Sequence, residues 1–67
     1  MSALDSLLRT AMLHHHSGRL DEAEAHCRRI LKTAPKHPQT LHLLGMLHLK
    51  RGEPKKAIGA LKRAIRV

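Results

Sequence analysis

Shifted against itself, this chain finds its own pattern: Leu7 stands against Leu41, 34 positions on. At the same offset Met12 meets Met46, Leu13 meets Leu47 and His14 meets His48. Gly18 falls on Gly52, Ala23 on Ala57 and Arg29 on Arg63. A period of that length, with two helical stretches and a glycine between them in each copy, predicts stacked helical hairpins. Each copy has one apolar face that it cannot bury alone. The second copy, with Leu41, Leu43, Leu44, Met46 and Leu47 in one run, is the better preserved.

The spacing predicts four helices. The first runs from about Ala3 to Ser17, with Ser2 as N-cap, Asp5 three residues on, and Leu4, Leu7, Leu8, Ala11 and Met12 at helical intervals. Gly18 ends it, because a left-handed terminal residue is cheapest without a Cβ. The second runs from about Leu20 to Ala34. Its early acids, Asp21, Glu22 and Glu24, and its late bases, Arg28, Arg29 and Lys32, suit the helix dipole. Ala23, Cys27, Ile30 and Leu31 form its inward stripe. Pro35 and Pro38 stop one helix and start the next, since Pro fits only a first turn. The third helix runs from about Pro38 to Arg51, stopped by Gly52. The fourth runs from about Pro54 to Arg66, with Glu53 at its N-cap. Short loops make sequential helices antiparallel neighbours. The fold class is therefore all-α, two stacked helix-turn-helix hairpins in one domain over residues 1–67, with repeat one at about 4–37 and repeat two at about 38–67.

The motif in each copy resembles the tetratricopeptide repeat, whose pattern runs Trp-x2-Leu-Gly-x2-Tyr, then Ala-x3-Phe, then Pro. The second copy reads Leu41-x2-Leu44-Gly45-x2-His48, then Ala57-x3-Leu61. The first reads Leu7-x2-Thr10-Ala11-x2-His14, then Ala23-x3-Cys27, then Pro35. The family's large aromatics are replaced by Leu, Cys and His throughout. The resemblance implies that small Ala57 faces Gly45, and Ala23 faces Ala11. It also implies a concave groove that holds a peptide or a partner's helix. By alignment its residues are Asp5, Leu8, Met12, His15 and His16 from the first helix, and Gln39, His42, Met46, Leu49 and Lys50 from the third. Unbranched Met suits an adaptable apolar grip. The clamp by which some relatives grip chaperone C-termini needs Lys and Asn where Leu8, Met12, His42 and Met46 stand. That mode is excluded, as is the asparagine ladder of certain glycosyltransferases, because the chain contains no Asn.

Composition sharpens the expectation. A chain of 67 residues buries only about 60% of its unfolded surface, and this one has no aromatic ring to fill the core. Arrays of this kind normally stack about three repeats or more, so two leave a face bare. Ile58, Leu61 and Ile65 on the fourth helix are the candidates for self-association, to a dimer and by hairpin exchange in one form. One cysteine excludes an internal disulfide framework and fits a reducing compartment. The N-terminal residues have no signal-peptide pattern, and no stretch is long and apolar enough to span a bilayer. The cytoplasm is the expected location.

Formal net charge is +8. Residues 1–34 hold five bases and four acids, and residues 35–67 hold eight bases and one acid, so nearly all of the excess lies in the second half. Lys50, Arg51, Lys55, Lys56, Lys62, Arg63 and Arg66 cluster there. They would attract nucleic acid or an anionic surface, but without rings they offer no stacking platform. A third alternative places these residues before the catalytic domain of a larger bacterial transferase, whose preceding repeats they resemble.

His14, His15 and His16 invite a metal assignment, yet consecutive helical residues point about 100° apart and cannot converge on one ion. His14 and His48 take equivalent places where the family favours Tyr. Cys27 lies on an inward stripe, where a small core residue is the ordinary role. No metal, cofactor or catalytic residue is expected, and the reading is of a non-enzymatic interaction module.

Overall fold

The computed structural model describes residues 3–65; Ser2 and Arg66, given roles above, lie outside them. Among the described residues four helices follow one another: α1 (Ala3–His16), α2 (Leu20–Thr33), α3 (Pro38–Lys50) and α4 (Pro54–Ile65). All four start where the spacing places them. Each of α1 to α3 closes one residue early, the usual latitude of a fraying helix end. α1 pairs with α2, α3 with α4, and α2 carries the second hairpin against the first.

Both hairpin turns are built alike, which is the repeat expressed in backbone geometry. Gly18 has φ +79° and Gly52 has φ +73°. Arg19 N–H reaches His14 O at 2.8 Å while Gly18 N–H reaches His15 O at 3.2 Å. Glu53 N–H reaches His48 O at 2.8 Å while Gly52 N–H reaches Leu49 O at 3.0 Å. This double closure is the Schellman arrangement, and its left-handed residue is why glycine recurs.

The two copies differ in how the next helix begins. α2 follows Arg19, which makes no side-chain cap. α3 begins after His37, whose Nδ1 accepts the Thr40 N–H at 3.3 Å and lies 2.8 Å from the Thr40 hydroxyl. The fully buried Thr40 is thereby satisfied. Before α4, the Glu53 carboxylate pairs with His48 Nδ1 at 3.0 Å and Lys56 Nζ at 3.3 Å. The His48 hydrogen bond foremost, then Lys56, hold that carboxyl below its usual range. The stabilisation is therefore present above the unfolded carboxyl pKa and fades as pH falls through the lower native one.

The core is aliphatic and small. Ala11, Ala23, Cys27, Ile30 and Leu47 are sealed from solvent, joined by Leu8, Leu43, Leu44 and Ala60. Leu4, Leu7, Leu20 and Leu31 pack around them. α3 is the central helix, buried from Thr40 to His48 except on the face of His42 and Met46. The four small residues expected at the close approaches, Ala11, Ala23, Gly45 and Ala57, are all buried. At Gly45 the reason is direct. A Cβ built there would lie 2.8 Å from Cγ and Cδ2 of Leu61 and 3.4 Å from the Ala57 carbonyl oxygen. α4 thus lies against bare backbone on α3, with Leu61 filling the space a side chain would take.

Polar contacts tie the repeats together at their edge. The Arg51 guanidinium meets Asp21 at 2.5 Å and Glu24 at 3.2 Å. Lys50 Nζ donates to His15 O at 3.2 Å, and Arg63 donates to Pro35 O at 3.2 Å. The Arg51–Asp21 pair, whose carboxylate is almost fully exposed, is worth about 0–1 kcal/mol.

Candidate partner-binding groove

Side-by-side placement of α1 and α3 leaves a cavity of about 600 Å³ between them, closed at one side by the end of α4. α1 contributes Leu8, Met12, His15 and His16; α3 contributes Pro38, Gln39, His42, Leu43 and Met46; α4 contributes Ala64 and Ile65. Helical spacing makes the wall. On α1, Leu8, Met12 and His15 or His16 recur at successive turns. On α3, Pro38 or Gln39, His42 and Met46 do the same. Leu8 and Leu43 are buried in the floor, while Met12 at 45% and Met46 at 41% exposure stand in the open. Large apolar side chains held that far into solvent are what an apolar ligand would cover.

Seven of the groove residues expected from the alignment border this cavity: Leu8, Met12, His15, His16, Gln39, His42 and Met46. Asp5, Leu49 and Lys50 do not. Leu49 is 54% exposed, beyond the cavity's end. Lys50 is turned toward the His15 carbonyl. Pro38, Leu43, Ala64 and Ile65 line it without being expected from the alignment. The antiparallel α3–α4 hairpin is the signal for the last two, because it brings the end of α4 beside the start of α3. The three residues assigned to self-association separate. Ile58 and Ile65 are exposed at 52% and 77%, whereas Leu61 is turned onto Gly45. Leu61 therefore belongs to the hairpin's interior, because the missing side chain at Gly45 is the space it fills.

His15 is the unusual member of the wall. It is 4% exposed, and its Nε2 is buried without a hydrogen-bond partner among the described residues. Burial first, then the charge of Lys50, then His16, push its pKa below the ordinary value. The unfolded chain takes up that proton near pH 6.5 while the native ring resists it. His15 therefore subtracts stability as pH falls through that region.

His14 and His48, which stand where the family favours Tyr, make contacts within the fold. His48 is buried and bonded to Glu53, and the His14 ring lies 5.3 Å from that of His26. Among the described residues no three His, Cys, Asp or Glu side chains are grouped to hold a metal ion. Cys27 is sealed in the core, and burial, helped by Glu24, pushes its thiol up to about 11. A protonated, inaccessible thiol is no nucleophile. No described helix is long and apolar enough to cross a membrane.

The four helices, paired as two stacked hairpins, define a class, the all-α helical repeat. A family model for the tetratricopeptide repeat matches residues 2–67, and the chain belongs to that family. No curated protein and no solved structure matches it. Repeats of this family generally mediate protein–protein interaction as scaffold modules.

Proposed function

We propose that this chain is a non-catalytic binding module that receives a peptide or a partner's helix in the groove between α1 and α3. The observation that carries the reading is the apolar cavity with Met12 and Met46 exposed on opposite walls. Burying about 25 cal/mol per Å² of such surface is the driving force, and rim charges orient the ligand. The test is binding of display-selected peptides to the intact chain and to a Met12→Glu, Met46→Glu double variant. A loss of at least roughly a hundredfold, with helicity unchanged, is expected from two charges placed in an apolar contact. Undiminished binding would remove the groove from the mechanism.

The basic second half gives weaker support to the nucleic-acid alternative. Of its described bases, Lys50, Arg51, Lys56 and Arg63 are committed to contacts within the chain.

A specific observation favours self-association beside the groove. Leu47 is sealed at the junction between repeats, but its counterpart Leu13 is 64% exposed on α1. Likewise Glu24 on α2 meets Arg51 across the junction, while its counterpart on α4, Ile58, is 52% exposed. The outer faces of both repeats thus carry apolar residues at positions that the internal junction covers, and one copy's α1 suits another's α4. Sedimentation from micromolar to millimolar concentration should show reversible growth, reduced by Ile58→Glu. A single monomeric species throughout would contradict this.

A further inference from the structure

We infer that the groove selects an apolar segment carrying one side-chain carboxylate, received by the His15 imidazole with Lys50 beside it. This rests on the groove reading above and names the chemistry of its occupant. Three observations carry it. The first is the unpartnered Nε2 of His15, buried in the wall of a mainly apolar cavity. A polar atom left so is unsatisfied until something supplies its partner, and small side-chain turns on binding are common.

The second is charge. Among the described residues the cavity is lined by three histidines and no Asp or Glu. Lys50 sits against the His15 carbonyl at 3.2 Å, close enough for its ammonium to act on the ring. The third is where the acids are. Asp21 and Glu24 are held by Arg51, and Glu53 is held by His48 and Lys56. Asp5, on the same helix, does not border the cavity, and Glu22 lies exposed on α2, which lines none of it. The cavity therefore carries a buried, unpartnered imidazole nitrogen in its wall, Lys50 against the backbone of the same residue, and no acid of its own, which matches one carboxylate among apolar side chains.

A carboxylate beside the ring favours the imidazolium, so docking takes up a proton and tightens as pH falls toward the ordinary imidazole range, about 6.5. The groups acting on His15 are Lys50 on α3 and His16 on α1, and His42 lines the same cavity from α3. α4 presents only Ala64 and Ile65, and α2 lines none of the cavity. Because His16 and His42 line the same cavity, the part played by His15 must be isolated by substitution.

The experiment takes peptides selected by display on the intact chain, resynthesised with acetylated and amidated ends so that no terminal carboxylate remains. Each is compared with its Glu→Gln or Asp→Asn form, against the unmodified chain, His15→Gln and Lys50→Met. The selected peptides should carry an acid, and neutralising it should cost roughly tenfold, the size of one charge-assisted hydrogen bond. His15→Gln should abolish both that difference and the pH dependence. Lys50→Met, on an exposed helix end, should reduce the difference without disturbing the core. Peptides that need Met12 and Met46 but show no acid preference would overturn the inference and leave the groove reading standing. An acid preference that survives His15→Gln would overturn it in the same way. If no peptide depends on the two methionines, both fall together.

Discussion

Leu47→Ala is expected to unfold much of the chain under conditions where the parent is folded. Leu47 is sealed at the centre of α3, inside the core that joins the two hairpins. Removing a buried Leu side chain costs about 2–5 kcal/mol, through lost burial and the cavity left behind. A core of this size rarely supplies more than about 3–5 kcal/mol in total, and here no aromatic residue adds to it. The internal control is Leu13→Ala. Leu13 occupies the same place in the first repeat, yet it is 64% exposed, and surface changes of this kind stay within about 0.5 kcal/mol. Urea titrations followed by helical circular dichroism would compare them. Similar losses at both positions would contradict the packing described for α3.

The second large effect separates two glycines that lie in helix interiors. At Gly45 an added Cβ would meet Leu61 at 2.8 Å, with the Ala57 carbonyl oxygen behind it at 3.4 Å. Gly45→Val forces α4 away from α3, and overpacking of that kind costs about 1–3 kcal/mol or more. Against a marginal total, the melting transition should move down strongly or vanish. Gly59, on α4, has nothing within 4 Å of the same built atom. There Gly→Ala should stabilise by up to about 1 kcal/mol, because the helix gains propensity and the unfolded chain loses freedom. Thermal melts of opposite sign are the expected result. A rise at both positions would mean that the two helices do not approach as closely as Leu61 and Ala57 indicate.

How far the sequence leads depends on which physical signal each feature leaves. The 34-residue recurrence that places Leu7 on Leu41 also places Gly18 on Gly52. Both glycines close the same left-handed turn, so the hairpins were legible from local chemistry. The groove's α1 and α3 walls were legible too, because helical spacing aligns Leu8 with Met12 and His42 with Met46. What periodicity alone does not carry is the direction a residue takes once a neighbour is missing. Leu61 looks like any apolar residue on the face of α4, but the absent side chain at Gly45 draws it inward. Ala64 and Ile65 join the cavity only because the hairpin folds the end of α4 back to the start of α3. Lys50 reads as a groove residue by alignment, yet the His15 carbonyl lies within its reach and takes it. Nothing in the run of three histidines singles out His15; its isolation arises from burial in the assembled fold.

Methyl spectroscopy of the intact chain during titration with a selected peptide tests most directly whether the face between α1 and α3 is the working surface. The ε-methyls of Met12 and Met46 should shift together and saturate, while the methyls of Leu13 and Ile58, on the outer faces, stay where they are. Shifts confined to Leu13 and Ile58, with both methionines unmoved, would contradict it.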